Sequence, residues 1–120
     1  MEGREAGMDV DDISRRLRHE WDYDDGFLTP LRWGEFDLVR AERFLSLLRE
    51  IDPTDPATFD RRIIAPMFLM PYYMLSHIQN SESLGVDTRG SRAVLHQALD
   101  LMMCIVAGGG GPPGGDRVGR

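Results

Sequence analysis

Lysine is absent from this chain: all 14 of its basic residues are arginine. With the many glycines, alanines and prolines, this bias points to a genome rich in G and C and carries no information about function. Cysteine is nearly absent too. The single thiol, Cys104, cannot close an internal disulfide, so the fold does not depend on an oxidising compartment. The opening residues Met1-Glu2-Gly3-Arg4-Glu5 have neither the basic start nor the apolar run of a secretory leader, and the expectation is a cytoplasmic protein. The longest apolar stretch, Ile63 to Ile78, is interrupted by Pro66, Pro71, Ser76 and His77. It falls short of the roughly 18 continuous apolar residues that a membrane span needs and reads as core, so no membrane partner is expected.

The motifs of catalysis and of metal binding are missing as well. An EF-hand started at Asp22 would put Gly26 at position 5, Phe27 at 6 and Trp33 at 12, where the loop needs an acid or amide, a glycine and a glutamate. His19, His77 and His96 share no zinc-type spacing with one another or with Cys104, and there is no HExxH or CxxC. Cys104 sits in Met102-Met103-Cys104-Ile105-Val106, an apolar setting that raises a thiol's pKa and disfavours a nucleophile. The run Gly108 to Gly111 follows a helical pattern instead of a strand and lacks the Gly-Lys-Ser/Thr ending that grips phosphate. No Gly-x-Ser-x-Gly elbow is present. These absences predict no catalytic residues, no cofactor and no metal.

What is present is the material of one small globular domain. Of 120 residues, 42% are apolar and 28% charged, well inside the range of chains that fold around a single core. The net charge of −6 is unevenly spread: residues 1–60 carry −8 and residues 61–120 carry +2. An acidic first half disfavours nucleic acid, whose phosphates need a basic footprint, and suits a basic protein partner.

Period-two alternation is lacking and helical spacing is abundant, so the fold class is all-α, a compact bundle of four to five helices. Val10, Ile13, Leu17 and Trp21 line one face of a first helix, with Asp9 or Asp11 as its cap. Residues 22–34 are turn formers around one helical turn, Thr29 to Trp33. Asp37 caps a helix from Leu38 to Ile51, whose stripe is Ala41, Phe44, Leu45, Leu48 and Ile51. Asp55-Pro56 restarts the chain. Pro66 and Pro71 are expected to kink one helix or to separate two, up to Ser83 and Gly85. A last helix runs from Asp87 to Ala107. The domain is expected to cover residues 9–107, with a flexible start over 1–8. Residues 108–120, seven glycines and two prolines in thirteen, form a disordered tail.

Two clusters stand out as candidate sites. Glu20, Trp21, Asp22, Tyr23, Asp24 and Asp25, with Trp33 and Glu35, interleave acids with aromatic anchors, the composition of a surface that binds a basic protein. The second is Met67 to Met74, three methionines and three aromatics around a proline. A pliable break there could line a pocket with Tyr72, Tyr73 and His77 as its polar groups, or form the interface of a homodimer. The bland readings are that Trp21 and Trp33 pack the loop onto the core, and that the methionine stripe is a central buried helix.

The segment Asp24-Asp25-Gly26-Phe27-Leu28-Thr29-Pro30-Leu31-Arg32-Trp33-Gly34-Glu35-Phe36-Asp37, followed by a helix and then Asp60-Arg61-Arg62-Ile63-Ile64, resembles a pattern in small uncharacterised helical bacterial proteins. It covers about half the chain. In size and charge the chain also resembles bacterial toxin-immunity proteins, which implies a non-enzymatic binder of another protein and assigns a role to no particular residue.

Overall fold

The computed structural model describes residues 8–108. Five α-helices follow one another: α1 (Val10–Asp22), α2 (Leu28–Arg32), α3 (Leu38–Glu50), α4 (Arg61–Ser83) and α5 (Arg89–Val106). A 3-10 turn, Pro56–Phe59, precedes α4, and no strand occurs among the described residues. The tail expected over 108–120 lies outside them, Gly108 excepted, as do residues 1–7. Met8, placed by sequence in the flexible start, donates its backbone N–H to Asp55 Oδ2 at 2.8 Å and packs against the core.

α1, α3, α4 and the 3-10 turn each begin where an aspartate side chain accepts an orphaned backbone N–H. Asp9 accepts from the N–H of Asp12, and Asp37 from that of Arg40. Asp55 caps the 3-10 turn through the N–H of Ala57. Asp60 then starts α4 by accepting from Arg62. The helical pattern that sequence extends from Pro56 is therefore two elements, divided where Asp60 leaves the helical conformation. Gly34 and Gly85 end α2 and α4 at φ +79° and +81°, a left-handed region that costs a glycine nothing. After each, the next N–H reaches back to the carbonyl five residues earlier, Glu35 to Pro30 and Val86 to Ser81, and this closes the helix end.

α4 runs through both prolines as a single element, the first of the two arrangements that the sequence allows. Pro66 and Pro71 cannot donate to the carbonyls four residues before them, at roughly 3 kcal/mol each in a helix interior. Ile63, Met67, Met70, Met74 and Ile78 are all buried on one stripe. At about 1.5–3 kcal/mol per fully buried side chain, that stripe offsets the two lost bonds. The methionines are thus core, and the aromatics of the same run are not: Phe68 and Tyr72 face outward.

The core gathers Ile13 and Leu17 of α1, the stripe of α3, the inner face of α4, and Val94, Leu95, Ala98, Met102 and Ile105 of α5. Phe27 and Phe44 stack at its centre, their ring centroids 5.1 Å apart. Leu48, fully buried on α3, should destabilise the fold by about 2–5 kcal/mol when cut to alanine, the range for a core cavity. Exposed Arg49 should lose under about 0.5 kcal/mol. Urea unfolding of Leu48→Ala and Arg49→Ala measures both, and equal small losses would contradict the assigned inner face of α3.

Candidate functional site

The segment Glu20 to Asp37 is held by two arginines of α3. Glu20 is only 3% exposed at the end of α1. Its Oε1 accepts from the backbone N–H of Phe27 at 3.0 Å and from Arg43 Nη2 at 2.9 Å, while Oε2 accepts from Arg43 Nε at 2.7 Å. This fork-to-fork pairing is the geometry that arginine makes best with a carboxylate, and hydrogen bonding to Glu20 raises the guanidinium's pKa above its ordinary value. Arg43 Nη2 also donates to the carbonyl of Asp25, and Arg40 Nη1 donates to those of Asp24 and Gly26. At Gly26 a Cβ would meet the carbonyl oxygens of His19 and Glu20. The loop lies so close against α1 that only glycine fits.

The acidic surface expected from sequence therefore divides. Glu20 is a buried anchor of the loop, its carboxylate taken up by Arg43 and the Phe27 N–H. Trp21 is half-buried against the core, with its ring 6.2 Å from that of Tyr73. Tyr23, half exposed, stacks on His19 at 5.0 Å, and the same histidine's Nε2 lies 2.9 Å from Asp25 Oδ1. Trp21 and Tyr23 border a cleft of about 460 Å³ whose charged lining is Arg15, Arg18, Arg61 and Arg62. Sequence reasoning missed this basic patch because Arg61 and Arg62 reach α1 only through the packing of α4 against it. Arg62 is paired with Asp60 and Asp11, and Arg15 with Asp12. Hydrogen bonding to Arg62 brings the Asp60 carboxyl down to about 2.

The remaining members stay together. Asp24, Trp33 and Glu35 border a second cleft, of about 470 Å³, with Phe36, Leu38 and Val39 as its apolar floor. Trp33 is 72% exposed and Val39 76%. Asp24 and Glu35 are exposed and have no ion pair among the described residues. Asp37, also in the lining, is occupied as the α3 cap. Arg40, the one cation in the lining, has its guanidinium engaged by Asp37 and by the loop carbonyls. Asp22 is exposed beside these clefts and lines neither.

The three polar residues of the alternative pocket, Tyr72, Tyr73 and His77, differ in exposure. Tyr72 lies out in solvent, Tyr73 meets it edge-on at 5.5 Å, and His77 is half-buried. Burial, and then the Arg32 cation, hold the His77 imidazole below its ordinary pKa. The cleft on this helix is lined by other residues, Ile64, Met67, Phe68 and Pro71 of α4 facing Leu99, Met102, Met103 and Val106 of α5. None of those side chains is ionisable or carries a hydroxyl, so the cleft holds no acid, base or nucleophile. Among the described residues no group of three or more His, Cys, Asp and Glu is placed to hold a metal ion, and no helix is long and apolar enough to cross a membrane. No protein family, curated protein or solved structure matches the chain.

Two outcomes follow from this geometry. Arg43→Ala leaves a buried carboxylate without its cation and should destabilise by about 2–4 kcal/mol, below the loss for a fully buried pair because Arg43 is half-exposed. Glu20→Gln, which keeps an acceptor for Phe27, should lose less; denaturant unfolding that ranks the two the other way would contradict the clamp. His77 binds its proton less readily folded than unfolded, so its contribution to stability is whole above its ordinary pKa near 6.5 and is lost as pH falls below that value. His77→Gln should accordingly flatten the decline in stability from about pH 7 to about pH 5. An unchanged slope would show that the histidine takes no part in it.

Proposed function

We propose that the chain is a non-enzymatic interaction protein that binds a basic partner at the cleft formed by Asp24, Trp33, Glu35, Phe36, Leu38 and Val39. One observation carries the reading: an exposed tryptophan stands beside exposed aliphatic side chains, and exposed carboxylates rim them. Hot spots in interfaces are aromatic side chains with an apolar neighbourhood, and the charges around them set association rate and choice of partner. Trp33, Leu38 and Val39 supply the first requirement, Asp24 and Glu35 the second. With the Arg40 guanidinium engaged elsewhere, the rim is left net negative.

A protein of this kind acts by occupying a basic surface on its partner, as an inhibitor-like or immunity-like protein does. The clamp by Arg40 and Arg43 supports such a role, since a loop already held in place loses little conformational entropy on binding. The reading assigns no catalytic residue. It also uses fewer residues than the sequence pattern offers, because Glu20 and Trp21 are committed to the fold.

The test starts from proteins captured out of host-cell lysate by the wild-type chain and identified by mass spectrometry. Surface plasmon resonance then follows each one on the wild-type chain, Trp33→Ala, and the double reversal Asp24→Arg with Glu35→Arg. Trp33→Ala should weaken binding about thirty-fold, the value of a central hot spot, chiefly through faster dissociation. The double reversal should slow association about tenfold, and salt near 0.1 M, where screening sets in beyond about 10 Å, should slow the wild-type chain likewise. A partner that binds both variants at wild-type rates would exclude this cleft as its site.

A further inference from the structure

The outer face of the α4–α5 hairpin has no assigned role, and it is strongly apolar. Because Met67, Met70 and Met74 turn inward, Phe68, Tyr72 and Leu75 are left outward at helical spacing, and Leu99, Met103 and Val106 repeat the pattern on α5. Phe68, Leu99, Met103 and Val106 border an open cleft of about 450 Å³ that only apolar side chains line. Phe68 is 72% and Tyr72 68% exposed. From Ile63 to Asn80 the chain carries no Asp, Glu, Lys or Arg.

We propose that this face is an interface between two copies of the chain, the two hairpins packing across a two-fold axis as a four-helix layer. A two-fold contact sets a patch against itself, so it must be self-complementary. A face without charge meets that requirement even in a protein of net charge −6, because the negative charge lies in residues 1–60 and residues 61–120 carry +2. At the turn between the helices the charges cancel locally: Arg92 Nη2 donates to Glu82 Oε1 at 2.8 Å. The exposed apolar side chains amount to roughly 600 Å² at typical side-chain areas, the most that a monomer usually exposes. With a polar rim this approaches the ~800 Å² that each partner gives to a stable interface.

Other occupants fit less well. Residues 109–120, the segment that follows the cleft, hold Val118 as their only large aliphatic side chain, too little to cover the cleft from within the same chain. A helix resting on a membrane surface carries Lys and Arg along its polar side, and the stretch 63–80 has neither.

Sedimentation equilibrium of the full chain from about 1 to 100 μM tests the proposal, since a standard-sized apolar interface gives a dissociation constant inside or below that range. The expected species is a dimer of twice the chain mass. Phe68→Arg should raise the dissociation constant at least thirty-fold by burying a charge at the centre of the face, and Arg49→Ala should leave it unchanged. Circular dichroism reports folding in each case. Should Phe68→Arg fail to fold, Phe68→Ser and Met103→Ser serve the same purpose with a milder change. A chain that stays monomeric over the whole range overturns the proposal, as does a dimer that folded variants at Phe68 and Met103 do not weaken.

Discussion

Glu20 is a carboxylate buried to 3% exposure in a protein with many acids at its surface, and it is held there by three hydrogen bonds, two from Arg43 and one from the N–H of Phe27. Much else in the first half of the chain depends on it. The bond to Phe27 turns the chain inward so that Phe27 stacks on Phe44 in the core. Arg43, fixed by Glu20, can then reach the carbonyl of Asp25, and Arg40, one turn earlier on α3, can take those of Asp24 and Gly26. Three consecutive loop carbonyls that would otherwise need water are satisfied by one helix. The position of α2, and with it that of Trp33, follows from this clamp.

The molecule divides its surface by charge. The acids of the first half rim a cleft with exposed aromatic and aliphatic side chains, and four arginines gather around Trp21 and Tyr23. The second half puts no Asp, Glu, Lys or Arg between Ile63 and Asn80 of its longest helix, which instead exposes Phe68 and Tyr72 beside the apolar face of α5. Burial of the methionines explains how α4 tolerates both prolines. It also explains why Phe68 and Tyr72, one or two positions from those methionines and so on another side of the helix, are turned away from the core. An acid-rimmed cleft in one half and an apolar face in the other give a small chain two surfaces with different chemistry.

Helix positions were legible in the sequence because each depends on neighbours within a few residues. Asp37 before Leu38, the stripe from Ala41 to Leu48, and Gly85 after Ser83 are local signals, and the structure places each where the spacing predicts. Asp60 as a cap was legible in principle, but the proline start at Pro56 masked it. The role of Glu20 was not legible. A glutamate next to three aspartates reads as surface, and the arginine that neutralises it lies 23 residues away on another helix. The same holds for the arginine cluster, and for the spread of Tyr72, Tyr73 and His77 from outward-facing to half-buried positions. In each case tertiary packing decides which side of a helix faces inward, and local spacing leaves that choice open.

Amide hydrogen exchange at Phe27, compared between the wild-type chain and Arg43→Met, tests most directly the claim that the Glu20–Arg43 pair organises the loop. Methionine fills much of the volume of the arginine stem while removing the fork. The account predicts that Phe27 loses protection by at least about ten times the factor lost at Met74 and Ala98, because the loop opens without the α4–α5 core opening. Protection at Phe27 that stays at the wild-type level, or that falls only in step with Met74 and Ala98, would contradict it.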